Sequence, residues 1–96
     1  MTECHLIKVW APKPDVLSGM ERASGIISQT GPIALFDDDQ TAHVHQRMDH
    51  SSVVIYTNGS REVPDAVYAS LVAHLPRVRI EHYDDDDNLV HVQAAA

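Results

Sequence analysis

The chain is poor in cysteine, glycine, aromatics and positive charge. One cysteine, Cys4, stands among 96 residues. It cannot close an internal disulfide, so a secreted, cysteine-stapled scaffold is excluded. Four glycines are scattered along the chain, no glycine-rich loop is present to cradle a phosphate, and no G-x-S-x-G occurs. Seven Lys and Arg face fourteen Asp and Glu, giving a formal net charge of −7 and a pI near 5.3. That balance argues against direct nucleic-acid binding, which needs a basic footprint, and favours a partner that is itself basic. No apolar run reaches the ~20 residues that span a bilayer. The start, MTECHLIKVWAPKP, has neither the basic beginning nor the apolar stretch of a signal peptide. The expected setting is therefore soluble and cytoplasmic.

Hydrophobic content of 44% and charged content of 22% are ordinary for a folded domain. The length fits a single domain over residues 1–96 with a thin core, which association with a second copy would extend. Residues 5–10, HLIKVW, read as a strand broken by APKP. Residues 14–31 read as a helix: Pro14 and Asp15 suit its start, Val16, Leu17, Met20, Ala23 and Ile27 share a face, and Gly31 suits its stop. PIALF (32–36), TAHVHQ (41–46) and SVVIYT (52–57) read as strands. PDAVYASLVAHLP (64–76) reads as a second helix with Val67, Leu71 and Leu75 as its stripe. RVRIEHY (77–83) and NLVHVQ (88–93) complete the set.

Two stretches say nearly the same thing: FDDDQTAHVHQ at 36–46 and YDDDDNLVHVQ at 83–93. Allowing one extra Asp in the second aligns Phe36 with Tyr83, Gln40 with Asn88, His43 with His91 and Val44 with Val92, and keeps inward positions inward. Upstream, PDV at 14–16 echoes PDA at 64–66. The pattern predicts a duplicated β-α-β-β unit with halves at 5–46 and 52–93. Right-handed crossovers would then put both helices on one sheet face, as an α+β two-layer sandwich of the ferredoxin-like kind. The other face is expected to carry Phe36, His43, His45, Arg79, Glu81, Tyr83 and His91. Of these, Phe36, His43, Tyr83 and His91 are candidates for a homodimer face or second contact.

Each Asp run falls in a hairpin turn, where Asp suits the local backbone. Seven of the fourteen acidic residues lie in the runs. Asp37, Asp38, Asp39, Asp84, Asp85, Asp86 and Asp87 are therefore the candidate partner-binding residues: clustered carboxylates imitate the charge spacing of a phosphate backbone and dock on Lys- and Arg-lined surfaces. A calcium loop is disfavoured, because adjacent aspartates cannot all reach one ion and neither run holds glycine. The alternative reading is a metal-binding or metal-sensing protein that uses zinc or another divalent transition metal. His43-x-His45, with His50 and His91, would supply the ligands.

No pattern for catalysis emerges. Cys4 and His5 are adjacent on a strand and point to opposite faces, so they do not pair as nucleophile and base. VVIYTNGS at 53–60 resembles the first strand of ribonuclease H over eight residues, but Asn58 stands where that family holds its metals with Asp, so the resemblance implies no nuclease. The expected function is that of a small acidic, non-enzymatic, cofactor-free binding protein. It would regulate or inhibit a nucleic-acid-handling protein by occupying its basic surface, a role that small acidic anti-defence proteins of phages exemplify.

Overall fold

The computed structural model describes residues 2–96. Strand β1 (Glu3–Val9) alternates in burial, with His5, Ile7 and Val9 turned inward. Helix α1 (Lys13–Met20) opens with Pro14 and Asp15 in its first turn and buries Val16, Gly19 and Met20. A meander follows: β2 (Ile26–Thr30), β3 (Ile33–Phe36), β4 (Thr41–Gln46) and β5 (Ser51–Thr57). Helix α2 (Glu62–His74) buries Val63, Pro64, Val67 and Leu71. Its first turn carries Glu62 and Asp65, where the helix dipole favours negative charge. Strands β6 (Ile80–Tyr83) and β7 (Leu89–Gln93) close the chain.

All seven strands form one sheet in the order β2-β3-β4-β5-β1-β6-β7, and every neighbouring pair is antiparallel. This overturns the ferredoxin-like two-layer sandwich built from a duplicated β-α-β-β unit with both helices on one face. The molecule is mostly sheet, seven strands wide, with only two α-helices among the described residues. The halves also differ: the first runs β-α-β-β-β up to Gln46, the second β-α-β-β.

The extra strand has a local cause. The helix expected over 14–31 ends at Met20, and Gly25 adopts a left-handed φ of 85° that a continuing helix cannot hold. Beyond it, IISQT is rich in β-branched side chains. Its partner β3 follows a two-residue loop that starts with Gly31 at φ 56°, the place for glycine in a tight hairpin. The apolar spacing that predicts a helix through Ala23 and Ile27 is broken: Ala23 packs in the core, while Ile27 lies in the bulge of β2 and is 58% exposed.

The core gathers Ile7, Val9, Val53 and Ile55 from the central strands, Ala34, Phe36, Ala42 and Val44 from β3 and β4, and Val16, Met20, Val67 and Leu71 from the helices. The helices touch each other, and a Cβ at Gly19 would lie 3.1 Å from Leu71 Cδ2, so the lack of a side chain there sets their approach. Among the described residues the opposite sheet face has no layer over it, and Ile33, Leu35, Tyr56 and Val92 are exposed there.

Phe36 is 1% exposed and belongs to the core, because β3 turns Ala34 and Phe36 inward and Ile33 and Leu35 outward. Phe36→Ala is expected to cost ~3–5 kcal/mol of folding stability, as truncation of a fully buried aromatic does. Urea denaturation checks this, and a change below about 1 kcal/mol would remove Phe36 from the core.

Candidate functional site

The antiparallel register brings most of the acidic side chains to one end of the sheet. Glu3 at the start of β1 lies opposite Thr57 at the end of β5, and Tyr56 lies opposite Thr41, just after the first Asp run. Tyr83 lies opposite Leu6, and the backbone N–H of Cys4 donates to Asp85 Oδ1 at 2.8 Å, which ties the second run to the same end. Asp37 and Asp38 share a cleft with Glu62 and Asp65 of α2. Ten of the fourteen acidic residues thus lie at that end, spread across its width: Glu3, Glu62, Asp65 and the seven of the two runs. Arg61 sits among them. Lys13, Arg47, Arg77 and Arg79 lie at the other end, flanking α1, β4 and β6.

Both runs are turns, and part of their aspartate content follows from that. Asp38, Asp39 and Asp87 adopt left-handed φ near 60°, which Asp tolerates better than most residues. Asp84 Oδ1 accepts the backbone N–H groups of Asp86 and Asn88, both at 2.9 Å. The Asn88 N–H is the main cause that holds the Asp84 carboxyl below its usual range. Asp37, Asp85 and Asp86 have no left-handed backbone to satisfy.

The cleft is about 590 Å3 in volume and lies between the first Asp turn and the start of α2. Four carboxylates line it, those of Asp37, Asp38, Glu62 and Asp65. Gln40, also in its wall, is 7% exposed. Its amide nitrogen donates to the Asp37 carbonyl at 3.0 Å, while its Oε1 is buried with no donor.

At the same end a row of histidines crosses the inward face of β1, β6 and β7. His82 is opposite Ile7 on β1 and His91 on β7, and His5 lies two residues along β1 from Ile7. His5 Nδ1 and His82 Nε2 form a hydrogen bond at 3.0 Å, fully buried. Glu3 Oε1 faces His5 Nε2 at 3.7 Å, and His91 Nε2 meets Asp65 Oδ1 at 3.3 Å. Tyr68 of α2 stacks on the His91 ring at 4.9 Å and 27°. His5 Nε2 and His82 Nδ1 are both buried without a hydrogen-bond partner, so the His5–His82 bond leaves a lone pair at one of them and an N–H at the other; the tautomer with the proton on His5 Nε2, the nitrogen that faces Glu3, puts the lone pair on His82 Nδ1. Burial, aided by His5 and His91, pushes the His82 imidazole down from 6.5 to about 4 and keeps it neutral.

The histidines singled out in the sequence do not converge. His43 stands on the uncovered face, edge-on to Tyr56 at 5.7 Å and bonded to Thr41 Oγ1 at 3.2 Å. His45 lies on the same face, exposed. His50 stacks on Trp10 at 5.2 Å and bonds Asp49 Oδ1 at 2.6 Å. Of the four dimer-face candidates, His43 and Tyr83 lie on the uncovered face, Phe36 is in the core, and His91 is on the inward face beside α2. Among the described residues, the one group of three metal-competent side chains is Asp65, His82 and His91. His5, His82 and Asp65 escaped sequence reasoning. The usable signal was alternation: His5 shares a strand face with Ile7 and Val9, and His82 with Ile80.

Comparison with protein-family models, curated proteins and solved structures returns no match. No helix among the described residues is long and apolar enough to cross a membrane.

His82 binds fewer protons folded than unfolded between pH 6.5 and about 4, so its contribution to stability is complete above that window and is lost as pH falls through it. In metal-free buffer the melting temperature is expected to fall across this range, with the His82 ring resonances titrating near its lower end. A His82 that titrates near 6.5 by NMR would contradict the burial argument.

Proposed function

We propose that the protein is a non-enzymatic binding module that occupies a basic surface of a nucleic-acid-handling protein and thereby regulates or inhibits it. The observation that carries this reading is the gathering of ten carboxylates at one end of the sheet. Charge segregated in this way steers a cationic partner into one orientation and raises its rate of encounter. The cleft beside α2 suits an arginine of that partner: its carboxylates match a guanidinium, and the buried Gln40 Oε1 lacks the donor that a guanidinium supplies. Asp85, Asp86 and Asp37 contribute charge beyond what their turns need, and Asp38, Asp39 and Asp87 add to it.

A second contact is proposed at the uncovered sheet face, between two copies of the chain. It is favoured by the apolar side chains left exposed there, Ile33, Leu35, Tyr56 and Val92, with His43 and Tyr83 beside them. Sedimentation equilibrium at tens of micromolar is expected to give twice the 10.6 kDa chain mass, and a monomer mass would remove this contact.

The docking reading is tested with immobilised protein in cognate lysate. Wild type runs beside a variant with Asp37, Asp38, Asp39, Asp85, Asp86 and Asp87 changed to Asn; Asn tolerates the same left-handed turns, and Asp84 is kept for its turn bonds. A basic nucleic-acid-binding protein is expected to be retained by wild type, released by raised salt and by duplex DNA, and lost with the variant. Retention indifferent to salt, DNA and the six substitutions would sink the proposal.

A further inference from the structure

We propose that Asp65, His82 and His91 bind a divalent first-row transition metal ion, zinc being the reference ion, with His5 and Glu3 as the outer shell that orients His82. This goes beyond the docking reading and does not depend on it.

The donor set is two imidazole nitrogens and one carboxylate oxygen, and their ligating atoms lie within 4.8 Å of one another. Ligands of a tetrahedral zinc ion, bound at about 2.0–2.1 Å, sit about 3.3 Å apart. His91 Nε2 and Asp65 Oδ1 are at that separation already, 3.3 Å. The remaining contraction falls on His91 and Asp65, whose side chains are 42% and 50% exposed, and it requires the His91 ring to tilt from its stack between Tyr68 and His82. His82 is the fixed member, buried and held from behind.

His82 is also the strongest sign that something is bound. A polar nitrogen buried without a partner is costly, and such a group in a folded protein has a reason. Its Nδ1 is bare, while its Nε2 is bonded to His5, which in turn faces Glu3. Metal-ligating imidazoles are held in this way: the ring nitrogen remote from the metal donates to a partner, and a carboxylate stands behind. Here a second imidazole is interposed in the relay. The surrounding acidic end lowers the cost of bringing a dication near.

Arg61 is the competitor. Its guanidinium is 4.0 Å from Asp65 Oδ1 across one helical turn, with both side chains about half exposed, so it swings away at small cost. No thiolate enters the set: Cys4 is on the other sheet face, and burial, then Asp85 and Asp87, push its pKa up. Nitrogen and oxygen donors without sulfur suit zinc, nickel or copper(II) rather than copper(I). Three protein ligands leave a coordination position for water or for a donor atom from outside.

The test uses the full chain stripped with chelator and titrated with cobalt(II), then zinc. The expected result is a visible cobalt spectrum that saturates at one ion per chain and is abolished by zinc. Asp65→Asn and His91→Ala change half-exposed side chains and leave the core intact, so they carry the test even where a His82 variant fails to fold. Loss of a direct ligand is expected to weaken binding at least ~10–100-fold, the range typical of an outer-shell change, and Glu3→Gln should weaken it ~10-fold. His45→Ala, on the opposite face, is expected to leave binding unchanged. No saturable spectrum at millimolar metal overturns the proposal. So does binding that survives both ligand variants, or binding matched by calcium and magnesium, which would assign it to the aspartates of the turns.

Discussion

Strand β1 is hydrogen-bonded along both of its edges, to β5 on one side and β6 on the other, and the fold depends on that double pairing. The β2-to-β5 meander can form from sequence neighbours alone, but it joins β6 and β7 only through β1. β1 supplies Ile7 and Val9 to the core, both fully buried, and His5 to the histidine row. These contacts link the ends of the chain, with His5 and His82 separated by 77 positions. Such pairings form late, after the loop-closure entropy has been met. The site is therefore assembled by the same step that completes the sheet.

This explains what could be read from the chain and what could not. Strands around HLIKVW, TAHVHQ and SVVIYT and the helix around AVYASLVAH were legible, because each carries its own period and its own breakers. The Asp runs were legible as hairpin turns, and both do connect paired strands, β3 with β4 and β6 with β7. IISQT was not legible as a strand. Its apolar spacing continues the rhythm of α1, although the helix ends at Met20 and a turn over residues 21–25, closed by the left-handed Gly25, separates the two. That one misreading doubled the length of the first helix, hid β2, and made the halves look like copies. The architecture inferred from them then failed.

The candidate site follows the same logic. His43-x-His45 drew attention because its members are close in sequence. The histidines that meet come from β1, β6 and β7, and which strands become neighbours is not written in any one of them. Asp65 is ordinary as a helix-start residue and gains its second role from the position of β7 beneath α2. The charge pattern was easier to see, since two aspartate turns at equivalent hairpins must lie near the strand ends they connect.

The separation of charge along the strands also gives the molecule a direction. Carboxylates crowd the end that holds both Asp turns, and Lys13, Arg47, Arg77 and Arg79 occupy the other, so the protein is an electric dipole as well as a net anion. Between copies the net charge of −7 repels, and the dipole makes that repulsion depend on orientation: least with opposite ends together, greatest with the acidic ends together. In dilute electrolyte, where fields reach ~30 Å, that repulsion holds copies apart and is felt most strongly at the acidic ends. At physiological ionic strength the reach shrinks to ~8 Å, and each molecule then presents its acidic end only to what comes into near contact.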